Sequence, residues 1–206
     1  MSGDSDRPRI AIVGAGPAGT RAAEVLVAAG LRPVVIDEAA ANGGRIYQRQ
    51  PPGFSRSPEM LYGFEAKKAR AVHGAFDRLA GAIDYRPGTL VWNIGQSGLD
   101  LMRDGDHDRL AYDRLILATG AMDRVIPLPG WTLPGVTTLG GAQVALKAQG
   151  VGIGQRVAFV GTGPLLFLVA YQYAKAGATV ALVLDTATFA DKAVATLGLM
   201  NAPKTF

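Results

Sequence analysis

Two short glycine patterns in this 206-residue chain have spacings that suit phosphate chemistry. The first is Gly14-x-Gly16-x-x-Gly19, directly behind the apolar run Ile10, Ala11, Ile12, Val13. The second is Gly161-x-Gly163-x-x-Leu166, behind Val157, Ala158, Phe159, Val160. In such a pattern the first glycine permits a tight strand-to-helix turn. The second lets a pyrophosphate approach the backbone, and the third lets helix and strand pack closely. The following helix start offers free N–H groups and the positive end of its dipole. Pro17 then occupies the first helical position, where its missing N–H costs nothing, with Ala18 beside it. Asp37 closes the next apolar segment 18 residues past Gly19. A carboxylate there can accept from ribose hydroxyls. Either Asp37 or Glu38 can fill that role; spacing favours Asp37 and leaves Glu38 as a solvated neighbour. The alternative for the whole pattern is a structural glycine turn with no ligand. Strand before, helix after and acid at the right distance weigh against it.

The second pattern is unequal to the first. Gly161 and Gly163 keep the turn and the phosphate approach, but Leu166 replaces the third glycine, which compromises close helix–strand packing. Asp185 follows Leu166 by 19 residues rather than 18. A one-residue offset in a strand reverses the side-chain face, so this carboxylate is expected to miss a ribose. The competing readings are a working NAD(P) site and a nucleotide-like domain without ligand.

The elements that must position these groups follow from periodicity. Residues 9–13 read as a buried parallel strand. Ala18, Ala22, Val25 and Ala29 mark one helical face against a sheet, ended by Gly30. Residues 33–36 form the next strand. Residues 59–80 carry helical periodicity, with Lys67, Lys68 and Arg70 as a solvated face. Residues 85–94 read as a strand broken near Pro87-Gly88, and residues 99–102 and 110–112 flank Asp104-Gly105 as a hairpin. Residues 114–118 read as another buried strand. Residues 123–136 form a proline-rich connector in which Trp131 reads as a packing anchor, the alternative being a stacking platform. Residues 141–149 form a short helix, and a second βαβ unit begins at Arg156. The apolar helix at Phe167, Leu168, Val169 and Tyr171 fits burial on two sides or a partner surface. The alternation argues for an α/β class with a parallel sheet and a small antiparallel insertion; with the two glycine patterns, and with the family resemblance given below, the expected fold is a Rossmann-like, three-layer FAD/NAD(P)-binding one. Expected boundaries are a disordered tail over 1–8, a first nucleotide domain over 9–137 and a partial second one over 138–206.

Composition narrows the classes further. Apolar residues make up 49% of the chain, and its 27 glycines exceed the average share of roughly 7%; high glycine with high apolar content fits turn-rich α/β structure. Net charge is +4 (21 minus 17) with no dense basic run, so no nucleic-acid surface is expected. There is no cysteine, which excludes disulfides and cysteine-ligated clusters within these residues. No segment spans a bilayer and no leader is read at the start. A cytoplasmic setting is expected, with any membrane association peripheral. His73 and His107 are expected to face water, and no metal spacing is present.

The quoted residues also carry a family resemblance. Gly14-Ala15-Gly16-Pro17-Ala18-Gly19, Asp37-Glu38 and Gly43-Gly44-x-Ile46-Tyr47 resemble the FAD site of pyridine-nucleotide–disulfide-oxidoreductase-like flavoproteins. So do residues 112–120, ending Ala118-Thr119-Gly120. The stretch Pro129-Gly130-Trp131-Thr132-Leu133-Pro134-Gly135-Val136, with Gly140-Gly141-Ala142-Gln143, is more specific. It is similar to the larger, FAD-binding subunits of heteromeric amino-acid and opine dehydrogenases, the group that includes opine oxidase, D-hydroxyproline dehydrogenase and hydrogen cyanide synthase. The resemblance implies FAD held at its pyrophosphate by Gly14, Gly16 and Gly19 and at its ribose by Asp37. It puts Gly44 and Arg45 near the flavin, Val91 on the adenine through its backbone, and Thr119 and Gly120 beside the phosphates. Arg45 stands where that family has Gln; a cation there either tunes the flavin or faces water. The family continues well beyond this length, so a fragment, truncated product or split gene is expected.

What the resemblance implies is an FAD-dependent oxidoreductase subunit that removes hydride from a C–N bond of an amino acid, imino acid or opine, or passes on the electrons, beside partner dehydrogenase subunits. No acid–base residue is identifiable, so the catalytic residues are unassigned. The alternatives are a non-catalytic nucleotide-binding scaffold protein and an NAD(P)H-dependent flavin reductase.

Overall fold

The computed structural model describes residues 7–96, 98–188 and 190. The expected tail over 1–8 and the last part of the second unit fall largely outside them. Arg7, within the expected tail, is engaged: its Nη1 donates to the Gly30 carbonyl at 2.6 Å.

The chain opens with strand β1 (Ile10–Val13), helix α1 (Pro17–Ala28) and strand β2 (Val34–Ile36). Helices α2 (Pro58–Tyr62) and α3 (Ala66–Arg78) follow, then strand β3 (Asp84–Arg86). Strands β4 (Leu90–Ile94), β5 (Gly98–Arg103) and β6 (Asp106–Ala111) form an antiparallel sheet. Strand β7 (Arg114–Leu117) returns to β1, making a four-stranded parallel sheet in the order β3-β2-β1-β7. After a long connector come helix α4 (Leu139–Lys147), strand β8 (Arg156–Gly161), helix α5 (Pro164–Lys175) and strand β9 (Thr179–Asp185). β8 and β9 pair in parallel.

Alternation along the strands builds three layers. Ile12 and Val35 face α1 and α3, packing with Ala23, Phe76 and Leu79. Their neighbours Ala11, Val34 and Ile36 face the opposite way, onto Leu99, Leu101 and Leu110 of the antiparallel sheet. Side chains as fully enclosed as Ile12, Val35, Ile36 and Leu99 each contribute about 1.5–3 kcal/mol by leaving water. This sandwich holds the β1–α1 turn at the carboxyl edge of the parallel sheet. No helix among the described residues is long and apolar enough to cross a membrane.

Several local expectations are corrected. The buried side of α1 is Gly19, Thr20 and Ala23, while Val25 is 69% exposed and Ala18 and Ala29 also face out. Gly19 sets this rotation, because it lies so close to Gly14 that a Cβ would sit 1.8 Å from the Gly14 oxygen. Positions four and seven further on then face the sheet. The periodic stretch over 59–80 is not one helix but two, separated at Gly63 (φ +57) by a 3-10 turn. The break lets the Tyr171 ring approach Gly63, where a Cβ would stand 3.3 Å from it. Residues 85–94 belong to two sheets, with β3 in the parallel one and β4 in the antiparallel one. Strand β7 is half open rather than buried, with Leu117 59% exposed. Trp131 is likewise 47% exposed rather than buried.

Candidate functional site: a glycine cradle at the β1–α1 turn

The first glycine pattern is a cradle with almost no free space behind it. Gly14 has φ +107, and a Cβ there would lie 2.2 Å from the Ala118 oxygen; the turn is possible only without a side chain. The Ala118 N–H donates to the Val13 carbonyl at 2.8 Å, so the end of β7 forms the back wall. Thr119 and Gly120 (φ +74) continue from it as exposed residues. Gly16 caps α1, and Gly44 (φ +60) packs against it so closely that a Cβ at Gly44 would sit 2.9 Å from the Gly16 Cα. The Gly43 N–H donates to the Ala15 carbonyl at 2.9 Å, locking the two glycine turns together.

The electrostatics of the cradle favour an anion. Helix α1 has no side-chain cap and no acidic residue in its first turn, and the same holds for α5 behind the second pattern. By contrast, α2 and α4 carry hydroxyl caps from Ser57 and Thr138, and α3, also uncapped, continues directly from a 3-10 turn. The helices behind the glycine turns thus leave their first N–H groups for an outside acceptor. Pro17 opens α1 and Ala18 stands exposed beside it. The donor set and the shape fit a dinucleotide pyrophosphate.

Asp37 is fastened to this turn from both sides. Its Oδ2 accepts from the Ala15 N–H at 2.5 Å and its Oδ1 from the Ala39 N–H at 2.8 Å. The carboxylate is half-buried and held rigid, with lone pairs left for hydroxyl donors. Its own carbonyl accepts from the Thr89 N–H at 2.9 Å, bringing β4 and Val91 to the same edge. Val91 is half-buried, and its neighbour Trp92 is bulged out of the β4–β5 pairing and 56% exposed. Glu38 is not simply solvated: Arg45 Nη2 lies 3.8 Å from its Oε1, both side chains being largely exposed. Such a pair adds little. Arg45→Ala is expected to shift urea-unfolding stability by less than about 0.5 kcal/mol.

The second pattern differs from its sequence reading in two respects. A bulge between Val157 and Ala158 leaves Ala181 of β9 outside the register, so that Gly161 pairs with Asp185. The extra residue in the spacing is absorbed there, and the carboxylate is not turned to the wrong face. Asp185 Oδ1 accepts from the Ala187 N–H at 3.0 Å, repeating the Asp37–Ala39 arrangement. Leu166 does not loosen the packing either: it is 2% exposed among Val157, Phe159, Val169 and Tyr173. The turn itself has changed, with the left-handed conformation at Gly163 (φ +99) rather than at Gly161.

A polar cluster that periodicity did not reveal lies beside the first cradle. His73 is half-buried rather than simply facing water: its Nε2 is 2.7 Å from the Tyr47 carbonyl, and burial holds its pKa below the ordinary imidazole value. Tyr47 donates to Glu65; burial, then that carboxylate, raise the Tyr47 phenol. Asn42, next to Gly43, is 5% exposed with its Nδ2 unpartnered among the described residues. Lys147, at the end of α4, is 1% exposed and donates to the Ile46 carbonyl at 3.0 Å. A basic residue in a last helical turn ordinarily reads as exposed and dipole-favoured, so no sequence signal marked it.

With this geometry in view, comparison with known proteins identifies the class. Residues 8–197 match the pyridine nucleotide-disulphide oxidoreductase family, and the chain belongs to it. More particularly, it is 38% identical over 187 residues to an opine oxidase subunit of Rhizobium meliloti, covering 86% of this chain and 35% of that protein. It is 39% identical over 201 residues to hydrogen cyanide synthase subunit HcnB of Pseudomonas aeruginosa, covering 96% of this chain and 43% of that one. The fold is also that of L-proline dehydrogenase from P. horikoshii, with a TM-score of 0.68 at 23% identity over 86% of this chain and 35% of that one. The chain therefore spans roughly two fifths of these relatives.

Proposed function

We propose that this chain is the FAD-binding portion of a cytoplasmic oxidoreductase subunit that works with partner subunits on a C–N bond of an amino acid, imino acid or opine. One observation carries the reading. The Gly14–Asp37–Gly44 constellation is locked into a cradle by the Ala15 N–H to the Asp37 carboxylate and the Gly43 N–H to the Ala15 carbonyl, in a chain of this family. The relatives named as oxidase and synthase subunits supply the reaction class and the expectation of partners. When bound, FAD supplies the hydride acceptor. Gly14, Gly16 and Gly19 admit the phosphates, and Pro17, Ala18 and the start of α1 face them. Asp37 accepts from the ribose. Val91 serves the adenine, Ala118, Thr119 and Gly120 wall the phosphates, and Gly44 and Arg45 approach the flavin. In this reading residues 9–137 form the FAD unit and residue 138 onward a nucleotide-like unit.

The test is optical. The purified chain, incubated with FAD and desalted, is expected to retain the flavin absorbance bands. Asp37→Ala removes an acceptor from two backbone N–H groups as well as from the ribose. It should weaken FAD binding by about tenfold or more, since hydrogen bonds to a charged group contribute about 1.5–3 kcal/mol. A colourless wild-type protein overturns the proposal. Asp185 opposite Gly161 favours a second reading, nicotinamide binding at the second turn. Anaerobic NADH that bleaches the bound flavin would support it; amino-acid, imino-acid or opine substrates that bleach it when NADH does not would support the dehydrogenase alone.

A further inference from the structure

Helix α4 meets the first cradle through one buried cation. Lys147 Nζ donates to the carbonyl of Ile46, 101 residues away, and sits 5.8 Å above the Tyr62 ring. No carboxylate is paired with it among the described residues. Ile46 is two residues past Gly44, whose backbone lies against Gly16. The same short segment is held at its other end by Gly43 N–H to Ala15, and directly after Ile46 by the His73 ring to the Tyr47 carbonyl. A lysine taken this far out of water must be compensated, and here its compensation is one carbonyl of a glycine turn and an aromatic face.

We propose that Lys147 is a positioning residue: through the Ile46 carbonyl it seats residues 43–46 against the fingerprint turn, so that the second unit sets how tightly the first holds its dinucleotide. The role rests on the FAD reading given above. It explains why an ammonium without a carboxylate partner is retained at 1% exposure against the Tyr62 ring. The charged form donates the stronger bond, and burial alone brings the group down to about 8. The other ionisable groups around Tyr62 titrate elsewhere. Burial lowers His73 below its ordinary 6.5 and raises Tyr62 above 10. Tyr47 is raised and Glu65 lowered by their mutual hydrogen bond, with burial the larger cause for Tyr47, and Arg49 is paired with Asp77 at 2.6 Å. Between pH 7 and 9 Lys147 is therefore the group that changes.

Three measurements decide the matter. The wild-type FAD dissociation constant should rise between pH 7 and 9, and Lys147→Met should raise it by about tenfold at pH 7, the worth of a charge-assisted bond, and abolish the pH step. Without FAD, hydrogen exchange of peptides covering residues 42–50 should be about tenfold faster in Lys147→Met than in wild type. A flat wild-type pH profile overturns the proposal even where the variant fails to fold. Unchanged exchange over 42–50 in a folded variant overturns it as well. A wild-type chain that takes up no FAD sinks the functional reading instead, and exchange alone then decides the role of Lys147.

Discussion

Gly19→Ala is expected to be among the most damaging single-methyl additions in this chain. The new methyl would start 1.8 Å from the Gly14 carbonyl oxygen and 3.0 Å from its carbon. Neither neighbour is a flexible side chain; both belong to the backbone of the turn proposed to cradle the phosphates. Relief requires α1 to move off β1, and α1 cannot move without opening the layer formed by Ile12, Ala23, Val35 and Phe76. Overpacking ordinarily costs about 1–3 kcal/mol, and a backbone clash places this substitution at or above the upper end. For a chain of this size that is a fall in melting temperature of roughly 6–12 °C. The same displacement should abolish FAD uptake. A stable Gly19→Ala protein that still binds FAD would refute the close helix–strand contact.

Leu166→Gly is expected to be equally harmful, although it restores the third glycine of the second pattern. Leu166 is buried at 2% exposure in the cluster that joins β8 to α4 and α5. Removing it leaves a cavity bounded by Phe159, Val169 and Tyr173, a loss of about 2–5 kcal/mol by comparison with large-to-small core changes. Glycine within helix α5 adds about 1 kcal/mol. Chemical denaturation of wild type, Leu166→Ala and Leu166→Gly should give descending midpoints in that order. If the glycine variant matched wild type, the second turn would be a degraded copy of the first. The structure describes instead a turn rebuilt around a leucine, with its left-handed residue moved to Gly163.

Much of the first site was legible because its determinants are local. The spacing of Gly14, Gly16, Gly19 and Asp37 is a property of consecutive residues along one strand–helix–strand path, and backbone sterics act on it directly. The hairpin at Asp104-Gly105 is equally local: Arg103 pairs with Asp106 across it, and Asp104 has φ 54. The face of α1 was misread because apolar periodicity is blind to a glycine. Gly19 contributes no hydrophobicity, yet its lack of a Cβ decides which side of the helix approaches the sheet. Similarly, the helical pattern over 59–80 ran through Gly63, whose positive φ ends the first helix although a glycine leaves no mark on apolar periodicity.

The order of residues was enough to establish the class of the protein, the position of the first turn and the acid that closes it. These follow from short-range geometry and from residues with no conformational substitute. The direction of Asp185 had to wait for the assembled fold, because a bulge on one strand is set by its pairing with the other. So did the finding that Lys147 is an interior group and His73 a half-buried one, each fastened to a carbonyl, of Ile46 and Tyr47 respectively. Burial of a charge is a property of what packs around it, and those neighbours come from segments far apart along the chain.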